Sequence, residues 1–197
     1  MRHEITIVIG RTGSGKTRLI ATELGPTFPR RITFDSTGEC KRLYPAAFYA
    51  YGLEQAFAAL LYWRKHRMDH WHLVVACQPA EAGVLMDRLV PVHDGKTVAL
   101  AEGFGGVCVE CFELDIYAPN HLGATNDAWK NAFLRGRHVG CSLLVATQRP
   151  QLVDRIATSQ AGRIITFAMF EPAELKYLEG AGGQRFRELA QKLPRYH

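Results

Sequence analysis

The sequence predicts an open α/β fold, with a mostly parallel central sheet and helices on both faces. Three features predict it: six short β-branched apolar runs, segments of helical period between them, and a glycine-rich loop joining the first run to the first helical segment. Strands buried on both faces of a parallel sheet read as near-continuous apolar runs. Their alternation with helices is the pattern of layered α/β folds, which hold ligands beyond the carboxyl ends of the strands.

In chain order the strand candidates are 4–10 (EITIVIG), 30–35 (RRITFD), 72–78 (HLVVACQ), 106–113 (GVCVECFE), 141–148 (CSLLVATQ) and 162–169 (GRIITFAM). Helical candidates are 16–24, 53–67, 79–89, 124–134 and 150–160. In the second of these, Leu53, Ala56, Phe57, Leu60, Leu61 and Arg64 follow the spacing of a single helix face. Glu171-Pro172 opens a further helix that Gly180 closes, since proline suits a first turn and glycine the position past the last. The GAGG run 180–183 then reads as a flexible joint before a short basic helix, and 90–105 as a short helix or a loop. The expectation is one domain over 1–197, with 180–197 as a basic helical appendage.

Composition agrees with a single core: 197 residues, 47% hydrophobic and 22% charged. A formal charge of +5 leans toward polyanionic partners. No run approaches the ~20 apolar residues of a membrane span, and the N-terminus lacks a secretory pattern, so a soluble cytoplasmic protein without a transmembrane segment is expected. Five cysteines at irregular spacing fit reduced thiols better than a disulfide framework. Cys108 and Cys111 form a CxxC, but on a strand they face opposite sides and cannot readily share a metal ion. His70 and His72 read as a strand-edge feature rather than a metal pair.

Gly10-Arg11-Thr12-Gly13-Ser14-Gly15-Lys16-Thr17 lies between a strand and a helix, the context in which GxxxxGK[ST] is a phosphate-binding loop. Its glycines let backbone N–H groups wrap a phosphate, Lys16 reaches the β- and γ-oxygens of ATP or GTP, and the Thr17 hydroxyl ligates Mg2+. Hydrolysis also needs an acid at the end of a neighbouring strand. Glu113, at the carboxyl end of its run, is the first candidate for that role and for the metal shell, and Glu110 is the alternative. The next strand ends in Ala146-Thr147-Gln148-Arg149-Pro150, where Gln148 is placed to sense a γ-phosphate or orient water, or else belongs to a helix-capping loop. Arg64-Lys65-His66-Arg67 ends a helix, where positive charge complements the dipole, and is also a candidate DNA contact.

The stretch Gly136 to Pro150 (GRHVGCSLLVATQRP), continuing into Gly162-Arg163-Ile164-Ile165-Thr166-Phe167, resembles the FtsK/HerA superfamily of DNA-pumping ATPases. Arg30 to Cys40 (RRITFDSTGEC) is similar to that superfamily's second strand, which ends in an aspartate followed by Gly-Glu. Within the superfamily, the chain length and the GRHxG and TQRP blocks look most like the genome-packaging ATPases of tailless, internal-membrane viruses. The resemblance implies a RecA-like P-loop ATPase core, ATP and Mg2+ as cofactors, and a homo-oligomeric ring, commonly a hexamer, around duplex DNA gripped without regard to sequence. It further implies capsid or membrane-vertex partners and a place in the host cytoplasm or on the virion. By position Arg137 and Arg163 match superfamily arginines and are the candidates to act in trans on a neighbour's site, with Arg135 and Arg149 behind them. The superfamily's acidic strand ends in Asp-Glu, whereas Phe112-Glu113 stands here, leaving Glu110 or Asp115 to supply the missing aspartate. Related readings are a HerA-like cellular or plasmid translocase and a zonula occludens toxin-like assembly ATPase that does not act on duplex DNA.

Overall fold

The computed structural model describes residues 3–91, 98–119 and 123–194. In chain order its elements are β1 (Ile5–Ile9), α1 (Lys16–Leu19), β2 (Arg30–Asp35), α2 (Cys40–Leu43), β3 (Phe48–Tyr51), α3 (Leu53–Lys65), β4 (Trp71–Ala76), α4 (Pro79–Leu89) and α5 (Leu100–Gly103). There follow β5 (Val107–Cys111), α6 (Leu114–Tyr117), α7 (Gly123–Arg135), β6 (Cys141–Thr147), α8 (Arg155–Gln160), β7 (Arg163–Thr166), α9 (Pro172–Gly182) and α10 (Gln184–Lys192). The seven strands form one sheet in the order β3-β4-β2-β5-β6-β1-β7. Every pairing is parallel. All carboxyl ends therefore lie along a single edge.

Alternation along the strands sorts the core into two layers. Ile5, Ile7, Ile9, Ile32, Phe34, Val109 and Cys111 face a large apolar layer closed by Leu60 of α3, Leu85 of α4, Trp129 of α7 and Leu178 of α9. The opposite face is thinner. Val8, Cys108, Leu144 and Ala146 pack there on Ile20, while Val74 packs with Ala21, Cys40 and Tyr44. Cys108 and Cys111 thus face opposite layers, as their strand spacing requires, and all five cysteines are buried free thiols.

Several boundaries depart from expectation for local reasons. β3 is an unforeseen seventh strand at the sheet edge, where only Ala50 is fully enclosed, so it lacks the continuous apolar signature. The helix expected over 16–24 is α-helical to Leu19 and then widens to a π-turn over Ile20–Leu24. The one expected over 150–160 is broken. A 3-10 turn at Pro150–Leu152 precedes α8, which restarts where the Asp154 carboxylate accepts from Ile156 N at 3.0 Å. α9 runs past Gly180 to Gly182, and Gly183, at φ +80°, makes the turn into α10. The expected joint is thus a tight corner, and α10 folds back with Arg187 paired to Glu179 at 2.7 Å and Ala190 buried. Of the stretch 90–105, residues 100–103 form α5, and 92–97 lie outside the described residues. No described helix is long and apolar enough to cross a membrane.

Candidate functional site

The parallel sheet brings the ends of β1, β2, β5 and β6 to one pocket of about 600 Å³, lined among others by Thr12, Lys16, Thr17, Asp35, Glu113 and Gln148. The loop from Gly10 to Gly15 turns from β1 into α1. Gly13 and Gly15 take φ of +77° and +95°, a region in which side chains other than glycine are strained. Gly10 admits no side chain, since a Cβ there would stand 2.6 Å from Ser14 Oγ and 2.9 Å from Phe167 Cβ. Gly10 N donates to Thr147 O at 3.3 Å, which ties the loop to β6.

Lys16 is buried at the start of α1, and its Nζ donates to the carbonyl of Arg11 across the loop at 2.8 Å. Burial pulls its pKa down to about 8, against the fields of Asp115 and Glu113, which favour the charged form. Thr17 is exposed to the pocket. Because β6 lies between β1 and β5, Gln148 stands between the loop and Glu113. Gln148 Oε1 accepts from Thr12 Oγ1 at 2.5 Å, and Glu113 Oε2 accepts from Ser36 Oγ at 3.1 Å. Glu113 follows the end of β5 by two residues, at the start of α6.

Two acids complete this edge. Asp115 accepts from Thr147 Oγ1 at 2.8 Å, linking α6 to the end of β6. Buried Asp35 organises the turn after β2: its Oδ1 accepts from Gly38 N at 2.8 Å and Thr37 N at 3.2 Å, and its Oδ2 from Cys40 N at 3.1 Å and from the Tyr49 hydroxyl. That turn presents Ser36 to Glu113. The sequence marked Asp35 only through resemblance. Tyr49, in the strand that sequence patterning missed, adds a hydroxyl to Asp35 Oδ2.

Glu110, the alternative metal acid, lies elsewhere. Although it precedes Glu113 by only three residues, it points into the thin layer and is fully buried. Its Oε1 accepts from Arg31 Nη1 at 3.2 Å, and its Oε2 from Thr33 Oγ1 at 2.7 Å and Tyr44 OH at 2.6 Å. Its oxygens are committed to these partners and face away from the pocket, so it is no candidate for a metal shell there. His72 joins this cluster through a 2.7 Å contact between Nε2 and Thr33 Oγ1. Burial and Arg31 pull its pKa down to about 3, so the ring is neutral. Since Thr33 donates its proton to Glu110, His72 carries its own on Nε2. No group of three metal-ligating side chains occurs among the described residues.

The candidate trans arginines stand at the other edge. Arg137 is exposed in a 3-10 turn before β6, and Arg163 opens β7, its Nε 3.0 Å from Glu4 Oε1. Both lie at the amino ends of the strands, so neither reaches its own pocket. Arg135 ends α7 near Arg137, while exposed Arg149 follows Gln148 at the carboxyl edge.

No protein-family model matches the sequence, and no curated protein matches it significantly. Solved structures do match. The DNA-packaging ATPase B204 from Sulfolobus turreted icosahedral virus aligns with a TM-score of 0.74 at 23% identity, covering 100% of this chain and 91% of that one. The genome packaging NTPase B204 from Sulfolobus turreted icosahedral virus 2, in complex with AMPPCP, aligns at 0.69 and 21% identity, covering 98% and 89%. The cytoplasmic domain of EssC aligns at 0.52 and 13% identity, covering 90% of this chain and 33% of that one. The chain therefore has the P-loop α/β fold that its sequence implied.

Glu110→Ala should lower unfolding free energy by about 3–5 kcal/mol in denaturant titration, because it strands the Arg31 charge and two hydroxyls in the thin layer. A loss below about 0.5 kcal/mol, ordinary for an exposed acid, would contradict the network.

Proposed function

We propose that this chain is the ATP-hydrolysing subunit of a ring motor that moves duplex DNA, and that it packages a viral genome. The observation that carries the proposal is Lys16: a buried ammonium at the mouth of a phosphate-sized loop, with Glu113 and Gln148 across the same pocket. Lys16 donates one of its three ammonium protons to the Arg11 carbonyl, a weaker partner than the charged phosphate oxygens this loop is suited to hold. The proposal draws further support from the full-length likeness to two viral packaging ATPases.

The chain's own residues divide the work. Backbone N–H groups of Gly13 to Thr17 and the Lys16 ammonium hold the phosphates. Gln148, which accepts from Thr12 of the loop, senses the γ-phosphate or orients the attacking water. Glu113 polarises the attacking water, with Ser36 fixing its carboxylate. Thr17 and Glu113 offer hard oxygen donors in the pocket, with Asp115 behind them, a set that suits Mg2+. When bound, that ion neutralises charge on the phosphate oxygens. Arg137 or Arg163 stabilises the transferred charge from a neighbouring subunit in a ring, hexameric by analogy with the superfamily. Contacts to the DNA backbone, rather than to base edges, suit a pump that must ignore sequence. The setting that fits this work is the host cytoplasm, against capsid or vertex proteins.

Phosphate release from ATP, measured with and without duplex DNA, tests the reading. DNA should raise turnover, and Lys16→Ala should abolish it in both conditions. Hydrolysis indifferent to DNA would favour an assembly ATPase of another kind, and activity without Lys16 would remove the P-loop chemistry.

A mixing experiment tests the ring. Arg137→Ala or Arg163→Ala should cut turnover by roughly 10³-fold or more if that arginine acts in trans. Combining the inactive arginine variant with Glu113→Gln should restore activity, because a mixed interface joins an intact Glu113 site to an intact arginine. Absence of rescue for both arginines would contradict the trans assignment.

A further inference from the structure

A second cavity, about 620 Å³, opens between α8 and α9 and shares no lining residue with the P-loop pocket. Arg155, Thr158 and Ser159 form one wall, and Lys176, Tyr177 and Gly180 belong to the other. Among the described residues no acid lines it, and neither Arg155 nor Lys176 enters a salt bridge. Of the acids near them in sequence, Asp154 pairs with Lys130 at 3.5 Å, though its charge also reaches Tyr177, Glu174 is buried, and Glu179 pairs with Arg187 at 2.7 Å. The two exposed cations give this concave site a chemistry that suits a phosphate diester, while the nearby hydroxyls are spent within the protein: Thr158 Oγ1 donates to Arg155 O at 3.1 Å, Ser159 Oγ to Ile156 O at 3.0 Å, and the Tyr177 hydroxyl pairs with Thr158 at 3.0 Å.

Both walls are tied to the P-loop. The α8 wall follows Gln148, which holds Thr12 of the loop at 2.5 Å, through the 3-10 turn at Pro150–Leu152 and the Asp154 cap. The α9 wall begins beside Glu171, whose carboxylate lies 4.0 Å from the guanidinium of Arg11. Glu174, one turn on, is buried, accepts from the backbone N–H of Glu171 and feels the charge of Arg11. A phosphate that drew Lys16 away from the Arg11 carbonyl and Gln148 away from Thr12 would therefore disturb both walls at once.

We propose that the groove between α8 and α9 grips a backbone phosphate of duplex DNA, and that the loop contacts of Thr12 and Arg11 make the grip respond to nucleotide. The proposal rests on the DNA-motor reading and adds the place of contact.

The test is the salt dependence of binding to a short labelled duplex, for the wild type, the double variant Arg155→Ala/Lys176→Ala, and the charge-keeping double variant Arg155→Lys/Lys176→Arg. Each neutralised phosphate contributes about 0.9 to the slope of log affinity against log salt, so the alanine pair, which releases the one phosphate held in the groove, should flatten the slope by about 1 and the charge-keeping pair should leave it intact. Equal unfolding midpoints in the three proteins would exclude misfolding as the cause. A wild type that binds no duplex overturns both the groove and the motor reading. A wild type that binds, with an unchanged slope in the alanine pair, overturns the groove alone. Titration with AMPPCP and sedimentation supply the remaining arms. A second nucleotide-binding event lost in the alanine pair would make the groove a nucleotide site, and loss of self-association with the slope intact would make it a contact between copies. Either result overturns the assignment.

Discussion

A buried lysine ammonium at the carboxyl edge of a parallel sheet is the constraint on which the rest of this structure depends. Lys16 is enclosed, its pKa pulled down to about 8, and its ammonium donates to the Arg11 carbonyl of its own loop. Removing a charge from water is costly unless partners replace the hydration shell. Here Asp115 and Glu113 supply part of the compensation from a distance. The parallel sheet makes this possible, because only there do several strand ends deliver polar groups to one edge while their apolar bodies stay buried.

The two layers of the sheet divide the remaining tasks. The thick layer supplies hydrophobic burial, with Trp129 against Phe34 at a centroid distance of 5.8 Å and Tyr117 at 6.3 Å. The thin layer is where polar groups are buried: Thr33, Glu110 and His72 occupy strand positions there, and Arg31 and Tyr44 close the cluster. Gly25, after the π-turn that follows α1, lies so close that a Cβ would stand 2.3 Å from Glu110 Oε1. Glu110 thereby supports the chain leaving the P-loop and, through Tyr44, the end of α2 at the pocket rim. It is an acid of the fold, whereas Glu113 is an acid of the edge.

Much of this was legible in the residues. Six of the seven strands carry the β-branched signature, and the loop from Gly10 to Thr17 combines glycines, lysine and threonine at a spacing that local chemistry alone explains. Period-two alternation separated Cys108 from Cys111, and position at the carboxyl end of the run set Glu113 apart from Glu110. It could not tell that Glu110 would meet Arg31 and Tyr44, since those partners come from distant segments brought together by the strand order. β3 was illegible because an edge strand with one enclosed residue needs no apolar run. The break near Pro150 was illegible because periodicity does not register the Asp154 cap. Asp115 acquires its place from the turn at Glu113 and the hydroxyl of Thr147, a contact between chain segments that no local pattern encodes.

Proton linkage reads the central constraint directly. In calorimetric titrations of ATP into the protein, repeated in buffers of different ionisation enthalpy, the proton count reports the charge state of Lys16. Above about pH 8 the free lysine is largely neutral, and phosphate oxygens raise its pKa, so binding should take up close to one proton near pH 9. Below about pH 7 the lysine is already charged and uptake through it should vanish. Lys16→Met should bind more weakly and lose the alkaline uptake. ATP binding with no proton uptake near pH 9, or with the same uptake in Lys16→Met, would contradict the assignment of this buried ammonium to the phosphates.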